Sequence, residues 1–338
     1  MELSLSGKVA IVTGAGGGLG EAIATGLVRL GATVHLLVRS RDKGAAAQDR
    51  MTVMLDWFVN PDHGPIIVAQ EQGYFAEQNI ELDIAIGASP DGAIAQLMNG
   101  DRHVAMTGAV PLTAAVANGL PIVAVVNAQD QNPIATYGLM VPGDSDIQSI
   151  ADLKGKKIGL PGIASPQGSA LIRTLEQNGM TRDDVELVNL PFPGVLQAIE
   201  AGSVDAGLPL GLFYNLSVQK GLRELKEVFD NSTFGFPAVL FAANKNWADE
   251  NADLMNRFIM AMQKANDYAN ANPDAVRAVD KAQTQLPPEY LDTREIAPFM
   301  TGFDAEAWDA ENEYLAKYGF ISRKPTPDEY IWSGAIRQ

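Results

Sequence analysis

The chain has 338 residues, enough for two or three compact units, and its 46% aliphatic and aromatic content excludes general disorder. A net charge of −16 argues against binding to a phosphate backbone. The absence of cysteine excludes disulfides and thiolate metal sites, and three scattered histidines, His35, His63 and His103, form no local metal motif.

Residues 1–50 hold six Lys/Arg against four Asp/Glu, so the charge balance changes near Met51. Lys8 to Thr13 reads as a buried parallel-type strand, followed by the glycine-rich turn Gly14 to Gly20. Glu21 to Leu30 follows as a helix, and Thr33 to Val38 as a second strand. Together these make the first βαβ half-unit of a dinucleotide fold, in which glycines allow close approach to a pyrophosphate. TGAGGGLG resembles the short-chain dehydrogenase/reductase signature, carried by Gly14, Gly18 and Gly20. Arg39 stands where an acid would favour NAD, so the resemblance implies NADP. That family's catalytic Tyr-x-x-x-Lys is absent, and the resemblance stops near Arg50, so no working dehydrogenase is expected. Met51 reads as a former start codon joined to a truncated reductase, as in a gene fusion.

The stretch LDWFVNPDHGPIIVAQEQGYF, Leu55 to Phe75, organises the remainder. Val53, Leu55 and Trp57 alternate as a short buried strand, and a helix opens near Gly64-Pro65, where proline costs no hydrogen bond. The loop between them gathers Trp57, Asn60, Asp62 and His63 at a strand's C-terminal end, where open α/β sheets bind ligands. Beyond it, strands and helices alternate through Ile80–Ile86, Ser89–Asn99, Val104–Thr107, Pro111–Asn118 and Ile122–Asn127. The pattern continues through Lys157–Leu160, Gly168–Asn178, Val185–Asn189, Val195–Ala201 and Ala238–Ala243, and everything after Asp249 reads as helical, broken at Pro287-Pro288. No apolar run reaches the roughly 20 residues of a membrane span. The N-terminus lacks the pattern of a signal peptide.

DWFVNPDHGPIIVAQEQGYFAEQNIELDI and DLKGKKIG resemble the thiamine-pyrimidine group of periplasmic solute-binding proteins. That group includes the binding subunits of ABC importers, related sulfonate binders, and the fungal thiamine pyrimidine synthases. The resemblance implies a type II, two-lobe periplasmic-binding-protein-like α/β fold with a hinge, preceded by a truncated Rossmann βαβ segment at 1–50. Lobe one would comprise 52–140 plus 241–338, and lobe two 141–240. It further implies closure of the lobes on a small polar or heteroaromatic ligand, with an ABC permease as partner.

Trp57 is expected to stack on a ring, and Asn60 and His63 to meet its polar edge, although Asn60 also suits a turn before Pro61. Thr107 and Gly108 end a strand facing the cleft. Ser165, Gln167, Gly168 and Ser169 form a nest for an anion or carbonyl, or equally an ordinary helix cap. Asp205 is either a turn residue or a ligand contact. Phe234 and Phe236 either wall the cleft or belong to the core, and His103 reads as structural. The synthases' pyridoxal phosphate lysine and a histidine four residues on fall at Thr107 and Pro111. Threonine cannot form the imine, so the synthase reading is the alternative rather than the choice. No catalytic residue, metal, nucleic acid or cofactor is expected for the main body. NADP is the one candidate cofactor, confined to residues 13–39, and an NADP-binding module is the second alternative. Relatives are exported whereas the chain as given reads as cytoplasmic, so the compartment stays open.

Overall fold

The computed structural model describes residues 8–13, 27, 29–30, 33–37, 48–56, 59–87, 90–131, 138–225 and 235–338. The chain divides into two units, residues 1–49 and 50–338. In the first, β1 (Val9–Thr13) and β2 (Thr33–Leu37) pair in parallel, in register from Val9 opposite Thr33 to Thr13 opposite Leu37. This is the pairing the βαβ reading requires. The glycine-rich turn with Gly14, Gly18 and Gly20, and Arg39 beyond β2, lie outside the described residues.

All of β3 (Asp49–Leu55) but its first residue lies in the second unit, and the strand starts two residues before Met51 rather than at it. Arg50 belongs to this strand and pairs with Asp83 at 2.9 Å. The chain continues through α1 (Gly64–Glu71), α2 (Tyr74–Glu77), β4 (Ile80–Ile86), α3 (Pro90–Asn99), β5 (Val104–Gly108), α4 (Ala109–Ala117) and β6 (Ile122–Asp130). Next come β7 (Leu139–Val141), β8 (Lys157–Leu160), α5 (Pro166–Gln177), β9 (Glu186–Asn189), α6 (Phe192–Glu200), β10 (Ala206–Gly207), α7 (Leu212–Gln219), β11 (Arg223–Leu225) and β12 (Pro237–Asn244). Helices α8 (Lys245–Glu250), α9 (Ala252–Ala271), α10 (Pro273–Gln283), α11 (Pro288–Thr293), α12 (Ala305–Lys317) and α13 (Pro327–Tyr330) complete the unit.

Two five-stranded sheets result, in the orders β4-β3-β5-β12-β6 and β11-β7-β10-β8-β9. Each has parallel neighbours, β3 with β5 and β8 with both β9 and β10. Each also contains one antiparallel strand that arrives from the other half of the chain: β12 in the first sheet and β7 in the second. The chain therefore crosses between sheets twice, before Leu139 and before Pro237. Boundaries at 140 and 240 would cut β7 and β12, each of which belongs whole to one sheet.

Side-chain alternation places apolar residues on both faces of the first sheet, as buried strands require. Val104, Met106, Phe241 and Ala243 join one core with Met255, Phe258 and Met262 of α9. Ala105, Leu240 and Ala242 join the opposite core with Phe303, Trp308 and Tyr330. Phe236 is buried in that second core and does not wall the cleft. The second sheet has its own core, in which Leu139, Ile158 and Leu160 meet Leu171 and Leu175 of α5.

The tail departs from the all-helical expectation. Residues 294–301 are non-helical and lie along β6, with Met300 N–H donating to Ala128 O and Asn127 N–H to Thr301 O, both at 3.1 Å. Two asparagines one turn apart on α9 fix this segment. Asn266 donates to Met300 O at 2.6 Å, and Asn270 both donates to and accepts from the Phe299 backbone.

Candidate functional site

The C-terminal ends of the parallel strands of both sheets open on a cleft of about 380 Å³, a size suited to a small ligand. Lobe one contributes Asp56, Gly108 and Pro111, and lobe two contributes Gly162, Ser165 and Gln167. A compartment of about 190 Å³ shares Gln131 and Gln167 with the cleft and reaches Asp62, Asp130 and Arg294. A third recess, about 110 Å³, is apolar and runs between Phe192, Leu210, Phe213, Leu286 and Tyr290.

The loop after β3 shows why its residue types occur together. Asn60 caps the short turn Pro61–His63: its Oδ1 accepts from Asp62 N–H at 2.9 Å, and its own N–H donates to His63 Nδ1 at 3.3 Å. Because Nδ1 accepts, the ring proton sits on Nε2, which donates to Asp56 Oδ1 at 2.8 Å. His63 is fully buried, whereas Asp56 lines the cleft. The histidine therefore holds and orients a carboxylate rather than meeting the ligand. Sequence reading singled out the histidine and passed over the aspartate seven residues before it. Trp57 lies outside the described residues.

Gly108 opens α4 with no side chain capping it and, with Pro111, borders the cleft. Thr107 is fully buried in β5 opposite Leu240 and does not reach the cleft. In lobe two, Ser165 caps α5 by accepting from Gly168 N–H at 3.1 Å. Gly162 N–H is taken by Asn189 Oδ1 at 2.9 Å. Gly168 N–H, a donor of the expected nest, and Gly162 N–H just before it are thus both engaged by the protein itself. Ser165 and Gln167 face the cleft, while Gly168 and Ser169 are buried behind it. A Cβ on Gly168 would meet Ile163 O at 1.9 Å, so this position requires glycine because of close backbone approach. Ser169 is fully buried in the first turn of α5, away from the cleft. Asp205 is a turn residue: it accepts from Lys157 N–H at 2.8 Å, at the opposite end of β8 from the cleft.

Sequence reading missed the tail's contribution. Arg294 enters the smaller compartment, with its guanidinium held by Asp280 through bonds of 2.5 and 3.2 Å. Across the same space, burial pushes the Asp130 carboxyl up to about 6, against the pull of an Asn127 Nδ2 bond at 2.6 Å and with a further push from Asp304. Burial also raises the Asp62 carboxyl, opposed chiefly by His63. The proline breaks at Pro287, Pro288 and Pro298 were the available signal that this stretch is not continuous helix.

Thr107, where the resemblance would put the synthases' lysine, is fully buried, and no lysine lines the cleft among the described residues, so these residues supply no amine for a pyridoxal phosphate imine. Among the described residues no group of three or more His, Asp or Glu side chains is placed to hold a metal ion. No helix among them is long and apolar enough to cross a membrane.

Known proteins resemble the chain in sequence and in fold. The NMT1/THI5-like family profile matches residues 60–276, and the short-chain dehydrogenase profile matches residues 8–56. A Haemophilus influenzae protein named for thiamine biosynthesis is 30% identical over 299 residues, covering 84% of this chain and 92% of its own. The formylaminopyrimidine-binding protein of Halalkalibacterium halodurans is 25% identical, covering 82% and 88% respectively. A Saccharomyces cerevisiae 4-amino-5-hydroxymethyl-2-methylpyrimidine phosphate synthase is 27% identical, covering 67% and 68%. Among solved structures, the alkanesulfonate-binding protein SsuA of Xanthomonas axonopodis pv. citri bound to MOPS superposes with a TM-score of 0.69 at 16% identity. That match covers 87% of this chain and all of the other, and at such identity it speaks for the fold.

Proposed function

The chain belongs to the NMT1/THI5-like family, and from that premise we propose that it is a solute-binding protein for a thiamine-precursor aminopyrimidine, delivering it to an ABC permease. The observation that carries this reading is the cleft itself. Lobe one offers the carboxylate of Asp56, fixed by buried His63, to accept N–H groups from an amino-heterocycle. Lobe two offers Gln167, an amide able to donate and accept, and Phe192 supplies an apolar wall beside it. The engaged N–H groups of Gly162 and Gly168 favour a neutral polar ligand over a sulfonate, which would need free donors there.

The synthase reading is supported by 27% identity to the yeast enzymes and opposed by Thr107 in place of the lysine. Calorimetric titration with N-formyl-4-amino-5-aminomethyl-2-methylpyrimidine, followed by mass analysis of the recovered compound, tests the choice. Saturable 1:1 binding with the compound unchanged supports a binding protein. Conversion of the compound, or no heat with any pyrimidine, would overturn it.

A further inference from the structure

Helix α12 faces two ways. One side packs into the core of lobe one: Trp308 sits against Phe303 and Tyr330 and donates from Nε1 to Thr113 Oγ1 at 3.2 Å. The other side meets α5, whose own apolar face, Leu171 and Leu175, is committed to the core of lobe two. The seam between these helices is therefore polar. At its centre Arg173 Nη2 donates to Glu311 Oε2 at 2.5 Å, with side chains only 6% and 3% exposed. The guanidinium lies over the Tyr314 ring at 3.8 Å. At the rim Glu176 accepts from Lys317 Nζ at 2.5 Å and from Tyr318 Oη at 3.1 Å.

A buried ion pair is a poor source of net stability, because desolvating both charges offsets their attraction, and an apolar pair of similar volume often does as well. It differs from an apolar contact in direction: a planar guanidinium donates to a carboxylate in few geometries, whereas apolar contact is non-directional. Here the pair joins the two lobes, and it does so on the helix whose first turn carries Ser165 and Gln167. Arg173 stands six residues beyond Gln167, about 9 Å along the axis.

We propose that Arg173 and Glu311 are the positioning pair of the cleft, fixing how lobe two meets lobe one and thereby where Ser165 and Gln167 stand relative to Asp56. Neither side chain touches the ligand. The claim concerns the architecture, and it rests on the proposed binding role only for its consequence on affinity.

The chain has no cysteine, so Asp101→Cys and Asp183→Cys, exposed on lobes one and two, give a clean pair of spin labels in the full-length protein. Ligand-free wild type is compared with Arg173→Met/Glu311→Leu, which keeps the seam filled. A displaced mean, by more than about 2 Å, or a broader distance distribution is expected in the double variant. Lys317→Met, which removes only the exposed rim pair, is expected to leave the distribution as in wild type. A distribution in the double variant matching wild type would overturn the proposal, as would an equal change in Lys317→Met. Should the double variant fail to fold, Glu311→Gln carries the same comparison. Affinity for the N-formyl aminopyrimidine is expected to fall roughly tenfold in the double variant, a loss of about 1.4 kcal/mol. If wild type binds no pyrimidine while the distances change, the ligand assignment falls and the positioning pair stands.

Discussion

Replacing Asp130 by asparagine is expected to stabilise the ligand-free protein at neutral pH and to leave it unchanged in acid. The Asp130 carboxyl ordinarily titrates at 3.8 and is pushed up to about 6, first by burial and then by Asp304, with the Asn127 bond pulling the other way. The folded chain thus binds a proton between these values that the unfolded chain has already released. Stability from this group is full below 3.8, declines as pH rises through 6, and is flat above. A shift of roughly two units corresponds to about 3 kcal/mol, an upper figure because the group keeps some contact with water. Asparagine has no charge to desolvate and can still accept from Asn127. At 2–4 °C per kcal/mol for large domains, the variant's Tm should exceed wild type by about 5 °C at pH 7.5 and match it at pH 3.5. Thermal unfolding followed by circular dichroism across this range is the assay. A Tm difference independent of pH, or a destabilised variant at pH 7.5, would falsify the electrostatic reasoning.

Four further outcomes are expected. Gly168→Ala should displace the loop from Ile163 to Gly168, since the new Cβ meets Ile163 O at 1.9 Å, lowering Tm by several degrees and weakening pyrimidine binding; wild-type calorimetry in this variant would refute the close approach. His63→Phe keeps the volume but removes the donor to Asp56 Oδ1, so affinity should fall about tenfold in the wild-type background but change little in the Asp56→Asn background, a coupling read by a double-mutant cycle. Burial, then Arg102, lowers the His103 pKa, so the stability it confers should be lost as pH falls below about 6.5; His103→Gln should flatten that slope in Tm against pH. Removing residues 1–47 keeps all of β3 and the Arg50–Asp83 pair, so the unfolding transition of residues 50–338 and its ligand-induced shift should persist.

The strand–loop–helix around Asn60 and the alternation that follows were legible because each rests on local chemistry: Asn60 and Pro61 cap and open a helical turn, and apolar strands read at period two. The two-lobe fold was legible through resemblance, since no local signal shows that β7 and β12 exchange sheets. Where side chains point was harder. His63 and Asp56 differ in role because one is buried and the other borders the cleft, and that depends on packing against residues far along the chain. Residues 286–297 read as a broken helix, yet Asn266 and Asn270 draw the following segment onto β6, and Arg294 lines the compartment beside the cleft. Such contacts between residues tens of positions apart leave no periodicity to find. Asp205 stayed open between turn and ligand contact for the converse reason: a carboxylate in a glycine-flanked turn looks the same in sequence whether it meets a ligand or a backbone N–H.

The most direct test is a titration of the full-length protein with the N-formyl aminopyrimidine, beside an alkanesulfonate and thiamine, read by calorimetry and by thermal shift. A ligand at 100 times its dissociation constant adds about 2.7 kcal/mol, enough for a shift of several degrees. Saturable binding of the pyrimidine, lost in Asp56→Ala and absent for the sulfonate, is the expected result. Binding of the sulfonate in its place, or pyrimidine binding indifferent to Asp56, would contradict the assignment of this cleft.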